Sequence, residues 1–163
     1  MHVHPSEKRY FIFTVILMGI FAAALAVGSI AYGVQLPVPY QLVDPTTIKA
    51  EGGTSGLPFD LPEAERVREI APGQYEAYVH AYAWGFSPKE IRVPAGSRVT
   101  FFVTSRDVIH GFKIQETNLN MMVIPGQVSR LSHTFNQTGT YNFICHEYCG
   151  IAHHGMFGQV IVE

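Results

Sequence analysis

Four side chains that bind soft metal ions lie close together near the end of the sequence. They are Cys145, Cys149, His153 and Met156, and the two cysteines are the only ones in the chain. Thiolate, imidazole and a weakly bound thioether are the ligands of copper electron-transfer sites. A mononuclear site of this type uses a single cysteine, so a second cysteine allows two sulfur atoms to bridge two metal ions. The loop therefore predicts a dinuclear copper centre.

A copper site of this type also needs a second imidazole, which the sequence supplies upstream of the loop. His110 lies in the segment Asp107-Val-Ile-His-Gly-Phe, after a predicted turn and at the start of a predicted strand. From that position its side chain can reach a loop at the end of a β-sandwich. Four other histidines are less suitable, because two compete on the loop and two are expected at the protein surface: His146, His154, His80 and His133.

Two alternatives to copper remain open for the cysteines. Zinc is the main competing metal, because two cysteines and two histidines also suit a tetrahedral zinc site. A disulfide between Cys145 and Cys149 would suit an oxidising compartment, although pairs four residues apart on a tight loop are uncommon. The neighbouring Met156 and the predicted location outside the cytoplasm favour copper.

A long apolar segment at residues 10–34 contains no charged side chain. Its roughly 25 residues can cross a bilayer core of ~30 Å as a helix. Lys8 and Arg9 precede it, so the tail of residues 1–9 is expected in the cytoplasm and the remainder of the chain outside. A cleaved signal peptide is the alternative, because residues 24–26 resemble a cleavage site, but the apolar run exceeds the ~7–15 residues usual in such peptides.

The segment of residues 35–73 is rich in proline and glycine and is predicted to connect the membrane helix to a folded domain. Within it, residues 61–70 indicate either a short helix with Pro62 in its first turn or a charged surface segment. The net charge of −2 and the absence of a lysine- or arginine-rich run argue against nucleic-acid binding.

From residue 74 the pattern changes to short strands. In residues 74–83 the apolar side chains alternate, which places Tyr75, Ala77, Val79 and Ala81 on one face. Other strands are predicted at residues 90–93, 98–104, 111–114, 128–135, 140–145 and 157–162. Six or seven short strands with turns between them predict an antiparallel sandwich with Greek-key connections over residues 74–163. The last two strands flank the metal-binding loop and would hold it rigidly.

Residues 144–158, Ile-Cys-His-Glu-Tyr-Cys-Gly-Ile-Ala-His-His-Gly-Met-Phe-Gly, closely resemble the dinuclear copper (CuA) loop of subunit II of haem-copper terminal oxidases, the cytochrome c oxidases. Residues 107–112 resemble the upstream histidine motif of that family, and residues 82–86, Tyr-Ala-Trp-Gly-Phe, its aromatic patch. The fold that this resemblance implies is one transmembrane helix followed by an all-β, cupredoxin-like Greek-key sandwich.

The resemblance also extends to a branch of the family. The single predicted helix, Val43-Asp-Pro-Thr-Thr47 and Thr117-Asn-Leu-Asn120 are similar to the B-type, ba-like subunits. Overall the resemblance covers roughly residues 40–162. It implies six ligands to a pair of copper ions, namely bridging Cys145 and Cys149, one imidazole each from His110 and His153, the weak thioether of Met156 and the backbone carbonyl of Glu147.

Other roles follow from the same resemblance. The side chain of Glu147 differs from the glutamine associated with the single-helix branch, and in two-helix oxidases this carboxylate helps to bind magnesium at the boundary with subunit I. Trp84 would take part in electron uptake from cytochrome c. Tyr82 and Phe86 would belong to the same aromatic patch or to the ordinary core, and Tyr148 would lie on the path to the haem of subunit I.

The resemblance implies a subunit of a respiratory terminal oxidase that accepts electrons from cytochrome c. It would pass them to haem in subunit I, where oxygen is reduced to water, so the chain itself would not be catalytic. Small accessory subunits and membrane lipid are further expected partners, and the copper domain would lie on the periplasmic side of a bacterial or archaeal cytoplasmic membrane. The alternatives are a copper subunit of a nitric oxide reductase, a membrane-tethered mononuclear cupredoxin and, less favoured, a copper-delivery protein.

Overall fold

A single long helix, α1, runs from Pro5 to Ala31 in the computed structural model, which describes residues 4–50 and 52–163. His4 caps it, because its Nδ1 accepts a hydrogen bond from the backbone N–H of Ser6 and its own N–H donates to the carboxylate of Glu7. The helix therefore begins before the predicted residue 10 and includes most of the predicted tail, of which residues 1–3 lie outside the described residues.

The side chains of α1 are exposed along its length, and the most apolar window of the helix has a mean hydropathy of 2.5. By length and composition it can cross a membrane, as the sequence predicts. Residues up to Val34 and residues from Gln35 onward form two compact units.

Within the described residues the second unit contains eleven strands. They are β1 (Val38–Leu42), β2 (Val67–Ala71), β3 (Gln74–Tyr82), β4 (Gly85–Ser87), β5 (Glu90–Val93), β6 (Ser97–Ser105), β7 (His110–Ile114), β8 (Asn120–Val123), β9 (Gln127–Phe135), β10 (Gly139–Ile144) and β11 (Phe157–Val162). All seven strands expected from the sequence are present, as β3, β5, β6, β7, β9, β10 and β11.

The strands form two sheets. One has the order β1-β9-β6-β3-β2, with β4 paired to β3, and the other has the order β5-β11-β10-β7-β8. The sandwich is not wholly antiparallel as expected, because β3 pairs with β6 and β5 pairs with β11 in parallel. Each parallel pair joins strands that are not consecutive in the chain, so the sequence of neither strand indicates the parallel pairing.

The expected connector at residues 35–73 supplies two strands of the larger sheet, since β1 pairs with β9 and β2 pairs with β3. The short helix considered for residues 61–70 does not form. Glu63–Glu65 makes one 3-10 turn, and the chain then enters β2. Hydrogen bonding to β3 outweighs the weak local preference for helix, which tertiary contacts commonly override.

The core lies between the two sheets and is rich in phenylalanine. Phe112 and Phe143 come from neighbouring strands, with ring centroids 5.0 Å apart, and Phe86 meets them edge-on at 5.6 and 5.3 Å. Alternate residues of a strand share a face. The face that buries Phe112 and Phe143 therefore also carries His110 and Cys145, both buried, to the end of the core.

A buried polar network holds Ala50 and residues 52–66 against the outer face of the larger sheet. Arg66 is fully buried and donates hydrogen bonds to the carbonyls of Leu61 and Ala50, to the hydroxyl of Ser87 and to Nδ1 of His80. His80 was expected at the surface, and that prediction is wrong, because its ring has 0% exposure. A lone histidine is expected at the surface, and the segment that covers His80 lies outside its own strand, so the residues near His80 gave no sign of it.

Burial lowers the pKa of His80 to about 3, with the positive charges of Arg66 and Arg106 acting in the same direction and Asp107 opposing them. The ring is therefore neutral at physiological pH, and Nδ1 is its acceptor toward Arg66. His133, the other histidine expected at the surface, is half-buried beside Phe135.

We expect the copper-free chain to lose stability as the pH falls from about 6.5 toward 3. The unfolded chain protonates His80 near the ordinary pKa of ~6.5, whereas the folded chain does so only near 3. The contribution of neutral His80 to the free energy of unfolding is complete above about pH 6.5. It falls by at most ~1.4 kcal/mol per pH unit between about pH 6.5 and pH 3. Denaturant titration in detergent at neutral pH and at about pH 5 measures it.

The comparison variant is His80→Asn, whose amide oxygen can still accept a hydrogen bond from Arg66 but does not titrate. Its free energy of unfolding should depend less on pH than that of the parent chain. The same pH dependence in both proteins would show that His80 does not carry the effect.

Candidate metal centre

The loop of residues 145–156 joins β10 to β11 and brings the predicted ligands together at one end of the sandwich. The Sγ atoms of Cys145 and Cys149 lie 3.9 Å apart, and Nδ1 of His110 lies 3.9 Å from Cys145 Sγ. The ligand atoms of these three residues all lie within 4.8 Å of one another. Both cysteines are free thiols, so the disulfide alternative is not realised.

Two further predicted ligands approach the second cysteine. Nδ1 of His153 lies 3.5 Å from Cys149 Sγ, and Sδ of the buried Met156 lies 3.7 Å from the same sulfur. Each imidazole thus lies against a different sulfur atom. On the other side, the backbone carbonyl of Glu147 lies 3.2 Å from Cys145 Sγ.

Backbone hydrogen bonds fix the path of this loop. The N–H of Cys145 donates to the carbonyl of Met156 at 3.1 Å, which continues the ladder between β10 and β11 past the ends of the strands. Inside the loop, the N–H of His153 donates to the carbonyl of Gly150, and a 3-10 turn spans His153–Gly155. The ligands therefore project from a short, hydrogen-bonded segment.

Asp107 orients the upstream histidine. Its Oδ1 lies 2.8 Å from Nε2 of His110, so this nitrogen carries a proton and Nδ1 is the nitrogen that faces the sulfurs. Burial alone would raise the pKa of Asp107, but hydrogen bonds from His110 and from the N–H groups of Ala83 and Val108 hold it below its ordinary value. Sequence reasoning gave Asp107 no role, although its spacing of three residues from His110 was a signal.

The two thiols differ in acidity in the metal-free chain. Burial alone would raise the pKa of Cys145, but hydrogen bonds from His110 and from the N–H of Gly111 lower it to about 6. Burial, together with the negative charge of Cys145, raises the pKa of Cys149 to about 11. Thiolates are the metal-binding form, so metal binding would release a proton from Cys149.

These donors fit a copper pair. Two sulfurs stand side by side, an imidazole lies against each of them, and a thioether and a carbonyl complete the set, which is the soft ligand chemistry of copper electron-transfer sites. The other loop histidines are exposed and lie outside the cluster. The ring of His146 instead covers Gly111, where a Cβ would come within 2.5 Å of it.

Trp84 borders the site and contacts the metal-binding loop. Its Nε1 donates to the carbonyl of Cys149 at 3.0 Å, while 41% of the residue is exposed. Phe86 belongs to the core, with 2% exposure. Tyr82 is partly buried beneath the guanidinium of Arg106, whose Cζ lies 4.4 Å from the ring centroid.

Tyr148 projects from the loop with 77% exposure, and its ring centroid lies 6.0 Å from that of His153. Glu147 lies at the same end of the molecule and is partly buried. In residues 4–50 and 52–163, no second cluster of three histidine, cysteine, aspartate or glutamate ligands accompanies it.

We expect Gly150→Ala to displace Trp84. Gly150 has φ +123°, and a Cβ there would lie 2.7 Å from Trp84 Nε1. Because Trp84 is the sole tryptophan, its fluorescence reports the change, and we expect a red-shifted emission that is more easily quenched by acrylamide. Gly155→Ala on the same loop is the matched control, since a Cβ there meets nothing within 4 Å. Identical emission from the two variants would contradict the packing described above.

Comparison with known proteins gives one consistent result. The family model for the periplasmic domain of cytochrome c oxidase subunit II matches residues 86–163. A cytochrome c oxidase subunit 2 of Thermus thermophilus is 40% identical over 159 residues, covering 96% of this chain and 91% of that protein. A second Thermus thermophilus protein of the same name is 46% identical over 121 residues, covering 74% of this chain and 85% of that protein.

Comparison with solved structures points to the same family. A chain of a heme-copper terminal oxidase dimer, determined by cryo-electron microscopy, superposes with a TM-score of 0.73 and 32% identity, covering 97% of this chain and 99% of that one. The periplasmic domain of subunit II of a cytochrome oxidase (CoxB) from Bradyrhizobium japonicum superposes with a TM-score of 0.51 over 54% of this chain and 83% of that one. At 21% identity, the second match supports the cupredoxin-like fold alone.

Proposed function

The chain belongs to the cytochrome c oxidase subunit II family, and we propose that it is the electron-accepting subunit of a respiratory terminal oxidase. It would receive electrons from a cytochrome c and deliver them to the haem of subunit I, where oxygen is reduced to water. The observation that carries this proposal is the convergence of two free thiols, 3.9 Å apart, with one imidazole against each sulfur.

The proposed ligands are the six named from the sequence. Cys145 and Cys149 would bridge two copper ions, His110 and His153 would each bind one, and Met156 and the carbonyl of Glu147 would be weak ligands. A copper pair that shares two thiolates can take up and release one electron with little change in geometry. The chain contributes rigidity, because the loop is closed by hydrogen bonds at its ends and within its turn.

Trp84 is the proposed point of electron uptake. It is exposed to a docking partner and bonded to the carbonyl of Cys149, so few atoms separate the surface from a proposed copper ligand. Tyr148 is the proposed contact on the path to subunit I, next to His153. Phe86 packs on Phe112 and Phe143 in the core, and Tyr82 lies beneath Arg106, which is consistent with a packing role for both.

The proposal places α1 in the cytoplasmic membrane of a bacterium or archaeon, with its N-terminus inside and the copper domain on the periplasmic side. Lys8 and Arg9 at the start of the helix favour this orientation. The chain would act without catalysing oxygen reduction itself. Subunit I, small accessory subunits and a cytochrome c are its proposed protein partners, and a magnesium ion between Glu147 and subunit I remains a prediction.

Copper analysis and electron paramagnetic resonance of the copper-loaded, full-length chain in detergent test the proposal. We expect two copper ions per chain and one unpaired electron shared equally between them. Cys145→Ser should abolish this signal because a bridging sulfur is lost. His154→Gln, an exposed histidine on the same loop, should retain it.

The other outcomes distinguish the alternatives. One copper ion with an ordinary four-line signal would support a membrane-tethered mononuclear cupredoxin, and preferential zinc binding would support a structural metal site. A shared two-copper signal that survives in Cys145→Ser would show that this cysteine does not bridge the metals.

We expect Trp84→Leu to slow reduction of the copper-loaded chain by cytochrome c at least about tenfold, which corresponds to ~1.4 kcal/mol in the activation barrier. The paramagnetic resonance signal should not change, because no proposed ligand is altered. Stopped-flow absorbance measures the rate. Ile151→Ala is the control, since Ile151 is an exposed apolar residue of the same loop. Unchanged kinetics in Trp84→Leu would remove Trp84 from the path.

A further inference from the structure

One carboxylate at the metal centre contacts two functional segments at once. Oδ1 of Asp107 lies 2.8 Å from Nε2 of His110 and accepts the backbone N–H of Val108 at 2.7 Å. Oδ2 accepts the backbone N–H of Ala83 at 2.7 Å. Both oxygens are therefore engaged, one by a proposed copper ligand and the other by the residue that precedes Trp84.

The contact with His110 decides which ring nitrogen faces the cysteines. The imidazole is fully buried, and Asp107 is the hydrogen-bond partner of its Nε2. A carboxylate cannot donate a proton to this nitrogen when ionised, so Nε2 is the donor and Nδ1 is the nitrogen left for the cysteines. Nδ1 then faces Cys145 Sγ at 3.9 Å.

The contact with the backbone N–H of Ala83 holds the Ala83–Trp84 turn. The following residue, Trp84, is held from the opposite side, because its indole N–H donates to the carbonyl of Cys149. The contacts close a ring that leads from His110 through Asp107 to the Ala83–Trp84 turn, on to Cys149, across to Cys145 and back to His110. Asp107 is the member of this ring that does not belong to the proposed ligand set or to the aromatic turn.

We propose that Asp107 is a positioning residue that couples the copper ligand His110 to the turn that carries Trp84. One side chain then sets both which ring nitrogen of the ligand faces the cysteines and the place of the electron-accepting indole. This inference rests on the proposed function for its consequences in electron transfer, but the two contacts themselves can be tested without copper.

The variant that separates these contacts is Asp107→Asn. An amide has one acceptor oxygen, which can serve His110 or Ala83 but not both, and its NH₂ group opposes whichever donor remains. The matched control is Glu90→Gln, which removes one negative charge at an exposed carboxylate. It reports the effect of net charge on the binding of a redox partner.

The first measurement uses the copper-free, full-length chain in detergent. Nitrogen-15 resonances of the His110 ring should show a proton on Nε2 in the parent chain, and the Ala83 amide proton should be shifted downfield by its bond to a carboxylate. In Asp107→Asn we expect loss of at least one of these signatures and a change in Trp84 fluorescence. The parent-chain spectra test the assignment even if the variant does not fold, because an Nε2 of His110 without a proton would already overturn it.

The second measurement uses copper. Removal of a partner of a metal-binding histidine weakens metal affinity by about 10- to 100-fold, so Asp107→Asn should bind copper more weakly by that factor and its reduction potential should rise. Glu90→Gln should change neither quantity. Slower reduction by cytochrome c in Asp107→Asn, with unchanged tautomer, copper affinity and potential, would overturn the proposal in favour of a surface charge for docking. Failure of the parent chain to form a copper pair would refute the proposed function and leave the copper-free result standing.

Discussion

The hydrogen-bonded ladder between β10 and β11 holds both ends of the metal-binding loop side by side. It runs from Gly139 opposite Val162 to Ile144 opposite Phe157, and the bond from the N–H of Cys145 to the carbonyl of Met156 extends it into the loop. The loop is thus a long connection of a β-hairpin rather than a free segment. The proposed ligands at its two ends are placed by strand register, and those between them by the turn at His153–Gly155.

The same strands connect the metal centre to the hydrophobic core. Phe112 and Phe143 lie two residues from His110 and Cys145 on the same faces of neighbouring strands, so the packing of the two rings also restrains the two ligands. Protein cores are close-packed, and small displacements within them are resisted. A rigid ligand frame suits electron transfer, because little rearrangement accompanies a change of redox state.

Polar contacts add to the restraint that core packing places on the ligands. Burial of a histidine ring or a thiol is costly unless its polar atoms find partners, and each such group at the centre has one. Asp107 takes the outer nitrogen of His110, and the N–H of Gly111 points to the sulfur of Cys145 at 3.4 Å. On the opposite side of the larger sheet, Arg66 donates to two backbone carbonyls of the segment that covers His80, those of Leu61 and Ala50.

Local sequence determined much of this protein. The apolar run of α1, the seven expected strands and the spacing of the cysteines, histidines and methionine could all be recognised, because each depends on residues that are neighbours in the chain. The family assignment followed from the same motifs and is confirmed by relatives that cover nearly the whole chain.

Tertiary structure decided what depends on distant partners. β1 and β2 become strands because β9 and β3 offer them hydrogen bonds, and the parallel pairs arise from the order in which strands meet. His80 is buried only because Ala50 and residues 52–66 fold over it, and Asp107 gains its contact with Ala83 only because the Ala83–Trp84 turn lies beside it in the fold. The alternation of residue types along a strand indicates which face a side chain occupies. Which segment covers that face depends on contacts between residues that are distant in sequence.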